Sequence, residues 1–263
     1  MTIKAETETL QLTINKRVAT VEFNRPESLN ALNVELLKGL ASMLKELSQS
    51  EEIEIVVLKG KGRAFSSGGD IKTMLLDASE ADFPIVMDYI SEVVLTLYTM
   101  PKLTISAITG AAAGLGLSIA LATDYVVADK NSKLAMNFIG IGLIPDGGGH
   151  YFMEKCLGED KAKRMIWEGK PITAEAAYEL GLIQEVAEPT LEEAVEAKLA
   201  QLLNSPILAM IETKRIFAEK NRPQLLRVLE LEKEAQRKMR QTKDHQEGIQ
   251  AFLEKRKPVF KGE

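Results

Sequence analysis

The sequence predicts an α/β fold in which strands alternate with helices and a helical C-terminal part follows. Short apolar strands and amphipathic helices alternate over residues 10 to about 140, and from Glu159 onward the pattern is almost entirely helical. The later strands are too apolar to face water on either side, which is typical of a sheet covered by helices. With 263 residues and 45% apolar content, the chain suits one domain, or one domain with a helical appendage.

The first predicted element is a β-hairpin. Alternating residues on both sides of a short polar break share one side of a strand: Leu10, Leu12 and Ile14, then Val18, Thr20 and Glu22. A period of two predicts strands with one buried face.

Helices and buried strands are predicted to follow in order. A helix begins at Asn33, which is a good N-cap residue, and leucines recur behind it at helical spacing: Leu36, Leu37, Leu40, Leu44 and Leu47. Apolar strands are predicted over Ile53–Leu58, Leu103–Ile108 and Tyr125–Ala128, with a helix over Phe83–Met100.

The helical part is predicted to begin near residue 200. Thr173 fits a helix N-cap, and Ser205-Pro206 opens a further helix. We therefore expect a β/α core in residues 1–200 and a helical region in residues 201–263.

Composition argues against two classes of partner. The net charge is −5 and the pI is near 5.4, so neither nucleic acid nor an anionic membrane is expected as the main partner. Leu103 to Thr123 is uncharged, but glycines in its middle favour a strand, a turn and a buried helix over a membrane span. Basic residues concentrate between Lys214 and Lys261, where an anionic ligand could bind.

A single cysteine, Cys156, excludes an internal disulfide and indicates a reducing compartment. The first residues contain no secretory apolar segment, so a cytoplasmic location is expected. Cys156 lies on an apolar helical stretch, where we expect it to pack in the core.

Asp146 is the one carboxylate that lies among glycines at the end of an apolar run, in GLIPDGGG. Loss of hydration there would favour the protonated form and bring its pKa towards working pH, as a proton carrier requires. Alternatively, Asp146 caps a helix that begins near Gly148. Both interpretations remain open from these residues alone.

Three glycine-rich turns follow or precede predicted elements: RAFSSGGD (63–70), TGAAAGLG (109–116) and GLIPDGGG (142–149). None has the spacing of a P-loop or of a dinucleotide-binding turn. Two backbone N–H groups from separate turns could instead form an oxyanion hole. Tight packing of helices on strands is the other explanation.

Other catalytic schemes are poorly supported. The only histidines are His150 and His245, and no His/Cys/carboxylate cluster has zinc spacing, so no metal is expected. Ser66, Ser67 and Ser118 lack a convincing base.

Taken together, the motifs resemble the crotonase superfamily, the enoyl-CoA hydratase/isomerase group, along nearly the whole chain. They occur in order: FNRPESLNAL (23–32), RAFSSGGDIK (63–72), PKLTISAITGAAAGLGLSIALATDYVVA (101–128), GIGLIPDGGG (140–149), EGKPITAEAAYELGLIQEV (168–186) and EGIQAFLEKRKPVF (247–260). The resemblance implies a spiral of ββα units, followed by helices that mediate homotrimers or dimers of trimers. Periodicity alone does not distinguish this fold from a doubly wound sheet.

The resemblance also implies a site for an acyl-CoA thioester, with coenzyme A as part of the substrate and no separate cofactor. The N–H groups of Ser67 and Leu115 would bind the thioester oxygen. Three residues would line the adenine pocket and two would approach CoA from the C-terminal segment: Ala64, Asp70 and Ile71, then Phe252 and Lys255.

Two departures from the family hydratases favour an isomerase. Where those enzymes carry two glutamates, this chain has Ser118 and Phe138. Asp146 instead falls where several isomerases of the superfamily place their acid. One carboxylate with an oxyanion hole suffices for a 1,3-proton shift. A hydratase or other lyase of fatty-acid or aromatic-acid breakdown and an inactive CoA-thioester binding protein remain alternatives. An apolar acyl tunnel would involve Leu75, Leu76, Met87 and Phe138.

Overall fold

Two β-sheets form the centre of the fold. In a computed structural model, which describes residues 7–72 and 82–263, six strands form a sheet in the order β1-β2-β3-β4-β6-β9: β1 (Leu10–Asn15), β2 (Val18–Phe23), β3 (Ile55–Gly60), β4 (Leu103–Ile108), β6 (Tyr125–Asp129) and β9 (Glu185–Ala187). Only the β1–β2 pair in this sheet is antiparallel. A second sheet has the order β5-β7-β8: β5 (Ala111–Ala113), β7 (Lys133–Ala135) and β8 (Ile172–Thr173).

Helices cover these sheets and then continue alone to the C-terminus. They are α1 (Val34–Gln49), α2 (Phe83–Thr99), α3 (Leu115–Leu121), α4 (Gly149–Leu157), α5 (Glu159–Glu168), α6 (Ala174–Glu179), α7 (Leu191–Leu203), α8 (Ile207–Arg240) and α9 (Lys243–Leu253). The predicted α/β class with a helical C-terminal part is confirmed. Residue 200 lies inside α7, and the next helix, α8, begins at Ile207. The division into a core of residues 1–200 and a helical region of residues 201–263 stays a prediction.

The hairpin forms as predicted, but the predicted buried face of β2 is wrong. Leu10 pairs with Phe23, Leu12 with Val21 and Ile14 with Ala19, and those three β2 residues are fully buried. Thr20 and Glu22 point to the other face and are only partly buried. The core-facing residues of β1 and those of β2 are one residue out of phase, because the polar break between the strands shifts the period of two by one residue. A shift of one residue exchanges the two faces of a strand.

The remaining predicted elements lie close to their expected positions. The Asn33 side chain accepts the N–H of Leu36 at 2.9 Å and so caps α1, whose leucine stripe is buried. Thr173 caps α6 in the same way. The uncharged stretch from Leu103 becomes β4, β5 and α3. Among the described residues, no helix combines the length and apolar character needed to cross a membrane.

Cys156 departs from expectation, because its side chain is exposed rather than packed in the core. It lies near the C-terminal end of α4, after the buried residues Tyr151, Phe152 and Met153.

A buried lysine joins α8 to the sheet. Lys214 Nζ donates to the carbonyls of Leu97 and Lys102, each at 2.9 Å, and lies 2.8 Å from Asp124 Oδ2. Only 8% of its side chain is exposed, and burial lowers its pKa. This contact fixes the start of α8, and therefore the direction in which the helix extends towards Asp146.

We expect Lys214→Met to lower the free energy of unfolding by about 2–3 kcal/mol, because Asp124 loses its cation and two carbonyls lose a donor. Urea denaturation would measure the change. Lys220→Met, at an exposed position on the same helix, is the matched control. Equal stability of the two variants would contradict the structural role of Lys214.

Candidate active site

The first two glycine-rich turns are joined by backbone hydrogen bonds. Ser66 N–H donates to Ala111 O and Ala113 N–H donates to Ser66 O, both at 3.0 Å, in a short parallel bridge. A Cβ on Gly68, which has φ of 96°, would lie 2.8 Å from Ala113 O. Glycine is therefore required where these turns meet, and the segment after Gly68 lies beside the start of α3.

The third turn packs against α3, directly behind the second. Gly147 and Gly148 have φ of 62° and 74°, values that favour glycine. A Cβ on Gly147 would lie 2.7 Å from Leu115 Cδ1, and a Cβ on Gly149 would lie 2.9 Å from Ser118 Oγ. The missing side chains let the backbone after Asp146 approach α3. The structure thus brings the three turns together at one site.

Asp146 is buried at this junction, with 8% of its surface exposed. Gln236 of α8 donates from Nε2 to Asp146 Oδ2 at 3.1 Å. The other oxygen, Oδ1, is buried and has no hydrogen-bond partner within the described residues. The pKa of Asp146 is raised to about 7, mainly by burial and then by the negative charge of Glu232, although the hydrogen bond from Gln236 opposes the rise.

A different carboxylate caps the helix after Asp146. Glu232, which is 2% exposed, accepts the N–H of Gly148 at 2.7 Å and the N–H of His150 at 3.1 Å. Its Oε1 also lies 2.8 Å from His150 Nδ1. The Asp146 side chain makes no cap to α4, so the helix-cap interpretation of Asp146 is wrong. Its carboxyl group is therefore available for other chemistry.

One of the two predicted oxyanion donors is already used within the fold. Ser67 N–H donates to Leu29 O at 2.9 Å, so this group is already hydrogen-bonded within the fold, and its binding of the thioester oxygen stays a prediction. Gly69, two residues later, has an N–H group with no acceptor among residues 7–72 and 82–263. The structure therefore offers Gly69 in place of Ser67.

The second predicted donor, Leu115, is the first residue of α3. The first N–H groups of a helix have no intrahelical acceptor, and none is found for Leu115 in the described part of the chain. The Leu115 side chain is buried, which holds this N–H group in position. A helix N-terminus also favours developing negative charge nearby.

The predicted adenine-pocket residues lie on the first turn, and their role stays a prediction. Ala64 is buried, and its carbonyl accepts Asn30 Nδ2 at 2.7 Å. The Asp70 carboxylate lies 2.9 Å from Arg25 Nη1, and this ion pair holds the turn that carries Gly69. Ile71 is half-buried beside Asp70.

Phe252 lies in the last turn of α9, Lys255 follows two residues after the end of that helix, and both are exposed. That helix packs on the residues before the third turn, since a Cβ on Gly248 would lie 2.7 Å from Ile141. Their predicted approach to CoA, in this subunit or a neighbouring one, stays a prediction.

The two positions at which hydratases carry glutamate hold buried side chains without a carboxylate. Ser118 is fully buried and Phe138 is 9% exposed. Met87 is also buried, while Leu75 and Leu76 lie outside the described residues, so the apolar tunnel stays a prediction. No cluster of His, Cys, Asp or Glu suited to a metal occurs among the residues that the structure describes.

Sequence comparisons place this geometry among known proteins. The sequence model of the family "Enoyl-CoA hydratase/isomerase" matches residues 13–263. YhaR of Bacillus subtilis (strain 168), which bears an enoyl-CoA hydratase/isomerase name, is 50% identical over 96% of this chain and 99% of that protein. The 1,2-epoxyphenylacetyl-CoA isomerase of Escherichia coli (strain K12) is 33% identical over 95% of this chain and 97% of that protein.

Structural comparison agrees. The crystal structure of an enoyl-CoA hydratase from Mycobacterium avium subsp. paratuberculosis K-10 has a TM-score of 0.88 and 30% identity, covering 96% of this chain and 98% of that chain. The crotonase-like fold that the motifs imply is therefore confirmed.

Proposed function

Because the chain belongs to the enoyl-CoA hydratase/isomerase family, we propose that it shifts the double bond of an enoyl-CoA thioester by a 1,3-proton transfer. One observation carries this choice within the family. Within the described residues, Asp146 is a buried carboxyl group that caps no helix, its pKa is raised to about 7, and the turn that follows it packs against Leu115, whose N–H group is free to bind. At Ser118 and Phe138, the chain lacks the two carboxylates that family hydratases carry.

The proposed reaction uses Asp146 first as a base and then as an acid. On a 3-enoyl-CoA, ionised Asp146 removes a proton from C2, and the electrons of that C–H bond form a dienolate. Its negative oxygen accepts hydrogen bonds from the N–H groups of Gly69 and Leu115. Protonated Asp146 then returns the proton to C4, and the product is the 2-enoyl-CoA.

The raised pKa suits both steps. An ordinary aspartate, with a pKa of about 4, is a weak base and removes a carbon-bound proton poorly, whereas a carboxylate that titrates near pH 7 is a stronger base and is still partly ionised at neutral pH. Coenzyme A is part of the substrate, so the proposed reaction needs no separate cofactor. Assembly into trimers or dimers of trimers stays a prediction.

Product identification tests the proposal. We expect the purified chain to convert 3-enoyl-CoA into 2-enoyl-CoA without forming a 3-hydroxyacyl-CoA. The same assay should include 2-enoyl-CoA and aromatic CoA thioesters. Formation of 3-hydroxyacyl-CoA from 2-enoyl-CoA would instead indicate a hydratase that uses Asp146 and water. Binding of CoA thioesters without turnover of any would indicate a binding protein.

A further inference from the structure

The contact between Asp146 and Gln236 leaves two buried oxygens without partners. Gln236 is 3% exposed, and its Nε2 donates to Asp146 Oδ2 at 3.1 Å. The remaining oxygen of each side chain, Asp146 Oδ1 and Gln236 Oε1, is buried and finds no hydrogen-bond partner within the described residues. Buried polar atoms without partners are uncommon in native proteins and call for an explanation.

A proton on Asp146 would satisfy both atoms at once. A carboxylic acid and a primary amide can form two parallel hydrogen bonds: the amide N–H donates to one acid oxygen, and the acid O–H donates to the amide oxygen. An ionised carboxylate can make only the first of these bonds. The unpartnered pair of oxygens is therefore the pattern expected when the one missing atom is the acid hydrogen.

The electrostatic surroundings act in the same direction. Glu232 lies one helical turn before Gln236 on α8, and its oxygens accept from Gly148 N–H, His150 N–H and His150 Nδ1. Glu232 is the ionisable group whose charge acts on Asp146 among the described residues. The residues of α2 and α3 that contact the Asp146 turn, namely Ile90, Leu115 and Ser118, carry no charge.

We propose that Gln236 is a positioning residue that holds Asp146 in its acid form by a two-point pair, with Asp146 Oδ1 donating its proton to Gln236 Oε1. Within the proposed isomerase, on which this assignment rests for its role, the pair stores the proton between its removal from C2 and its return to C4. It also fixes the plane of the carboxyl group. The sequence offers no signal for this contact, because 90 residues separate the partners.

The sign of a pKa change distinguishes this pair from a single hydrogen bond. If Gln236 only donates to the carboxylate, Gln236→Met removes a bond to the ionised form, and the pKa of Asp146 rises. If the two-point pair exists, the acid form loses two bonds and the ionised form loses one. The pKa of Asp146 then falls, by about half a unit to one unit for one net hydrogen bond.

Isotope-edited infrared titration of protein labelled with ¹³C in the aspartate carboxyl groups measures this pKa, and Asp146→Asn identifies the band. We expect the pKa to fall in Gln236→Met and in Gln236→Asn, whose shorter side chain withdraws the amide but keeps it polar. Gln224→Met, at an exposed position on α8, should leave the pKa unchanged. A rise, or no change, in the folded Gln236 variants would overturn the proposal.

The infrared measurement needs no turnover, so it separates this inference from the proposed function. If the protein turned over no thioester, the proposed isomerase activity would be contradicted, and the infrared titration would still test the hydrogen-bonded pair of Asp146 and Gln236. Where the chain is active, the acidic limb of the kcat/KM profile should move to lower pH in Gln236→Met, by the same amount as the band. A purely structural role for Gln236 would lower activity at every pH without that shift.

Discussion

Asp146→Asn is expected to lower kcat for double-bond isomerisation by about 10²–10⁴-fold, the usual contribution of a general acid–base group. Asparagine matches aspartate in size and can still accept the N–H of Gln236, but it cannot take up a proton. The structure shows no cap from the Asp146 side chain to α4, so the fold should not depend on the charge. Rates with 3-enoyl-CoA, and thioester affinity measured by calorimetry, would check both expectations.

Asp160→Asn is the matched control, because this aspartate side chain is 86% exposed on α5. It should leave kcat and thioester affinity unchanged. If Asp146→Asn keeps the isomerase activity of the unmodified chain, the proton carrier is another group and the proposed mechanism fails.

Asp146→Asn should also increase the free energy of unfolding above neutral pH. The pKa of Asp146 rises from an ordinary 3.8 to about 7 in the folded protein, so folding favours its protonated form. The stabilisation from this group is complete below about pH 4 and is lost as pH rises through about 7. Asparagine carries no such dependence, and we expect a gain of about 2–4 kcal/mol over the unmodified chain at pH 8.

Urea denaturation at pH 5 and pH 8 would measure this difference, which should be much smaller at the lower pH. A variant that is less active yet more stable at pH 8 has lost a functional group rather than its fold, a trade often found at active sites. If Asp146→Asn and the unmodified chain had equal free energies of unfolding at both pH values, burial would not disfavour the Asp146 carboxylate.

Much of the fold was predictable because its signals are local. The leucine stripe behind Asn33 and the apolar strands follow from periods of 3.6 and 2 residues. The β2 face was predicted wrongly because Thr20 and Glu22 continue the period of two that begins at Leu10, whereas the buried Ala19 and Val21 are one residue out of phase with it. Only pairing across the hairpin decides between these two registers.

The candidate site was predictable only in part. Asp146 and the glycine turns were predictable because their signals are adjacent in sequence: a carboxylate next to an uncharged run, and glycines that permit close backbone packing. The exchange of Ser67 for Gly69 depends on Leu29, whose carbonyl accepts the Ser67 N–H. No local pattern predicts which of two neighbouring N–H groups will donate to a carbonyl of an earlier loop. The Gly68-Gly69 pair does indicate a backbone that a ligand can approach closely, because glycine has no side chain.

The residues that tune Asp146 were not predictable at all. Glu232 and Gln236 lie in a charged helical run that is typical of a solvated surface, yet both are buried. Long-range packing of α8 on the third turn places them there, and the anchor at Lys214 helps to set that packing. Polar side chains that are buried against a site from a distant part of the sequence are therefore identified only by the structure.

Leu115→Pro should lower kcat by about 10²–10³-fold, as expected for loss of one oxyanion donor. Proline is accepted at the first position of a helix, where the missing N–H has no intrahelical role, and Leu115 occupies that position in α3. The preceding residue, Gly114, already has a φ of 52°, and it lacks the Cβ that usually clashes before proline. The substitution therefore removes the hydrogen-bond donor with little change to the helix.

Leu115→Ala separates the N–H group from the side chain. Alanine keeps the donor but removes more of the buried side chain than proline does, so it should cost more packing and less catalysis. We expect the alanine variant to unfold at lower urea concentration and to retain kcat within about tenfold, since the transition-state donor is intact. Comparable losses of kcat in both variants would mean that side-chain packing, rather than the Leu115 N–H group, limits the reaction. A proline variant with unchanged kcat would show that the dienolate oxygen binds elsewhere.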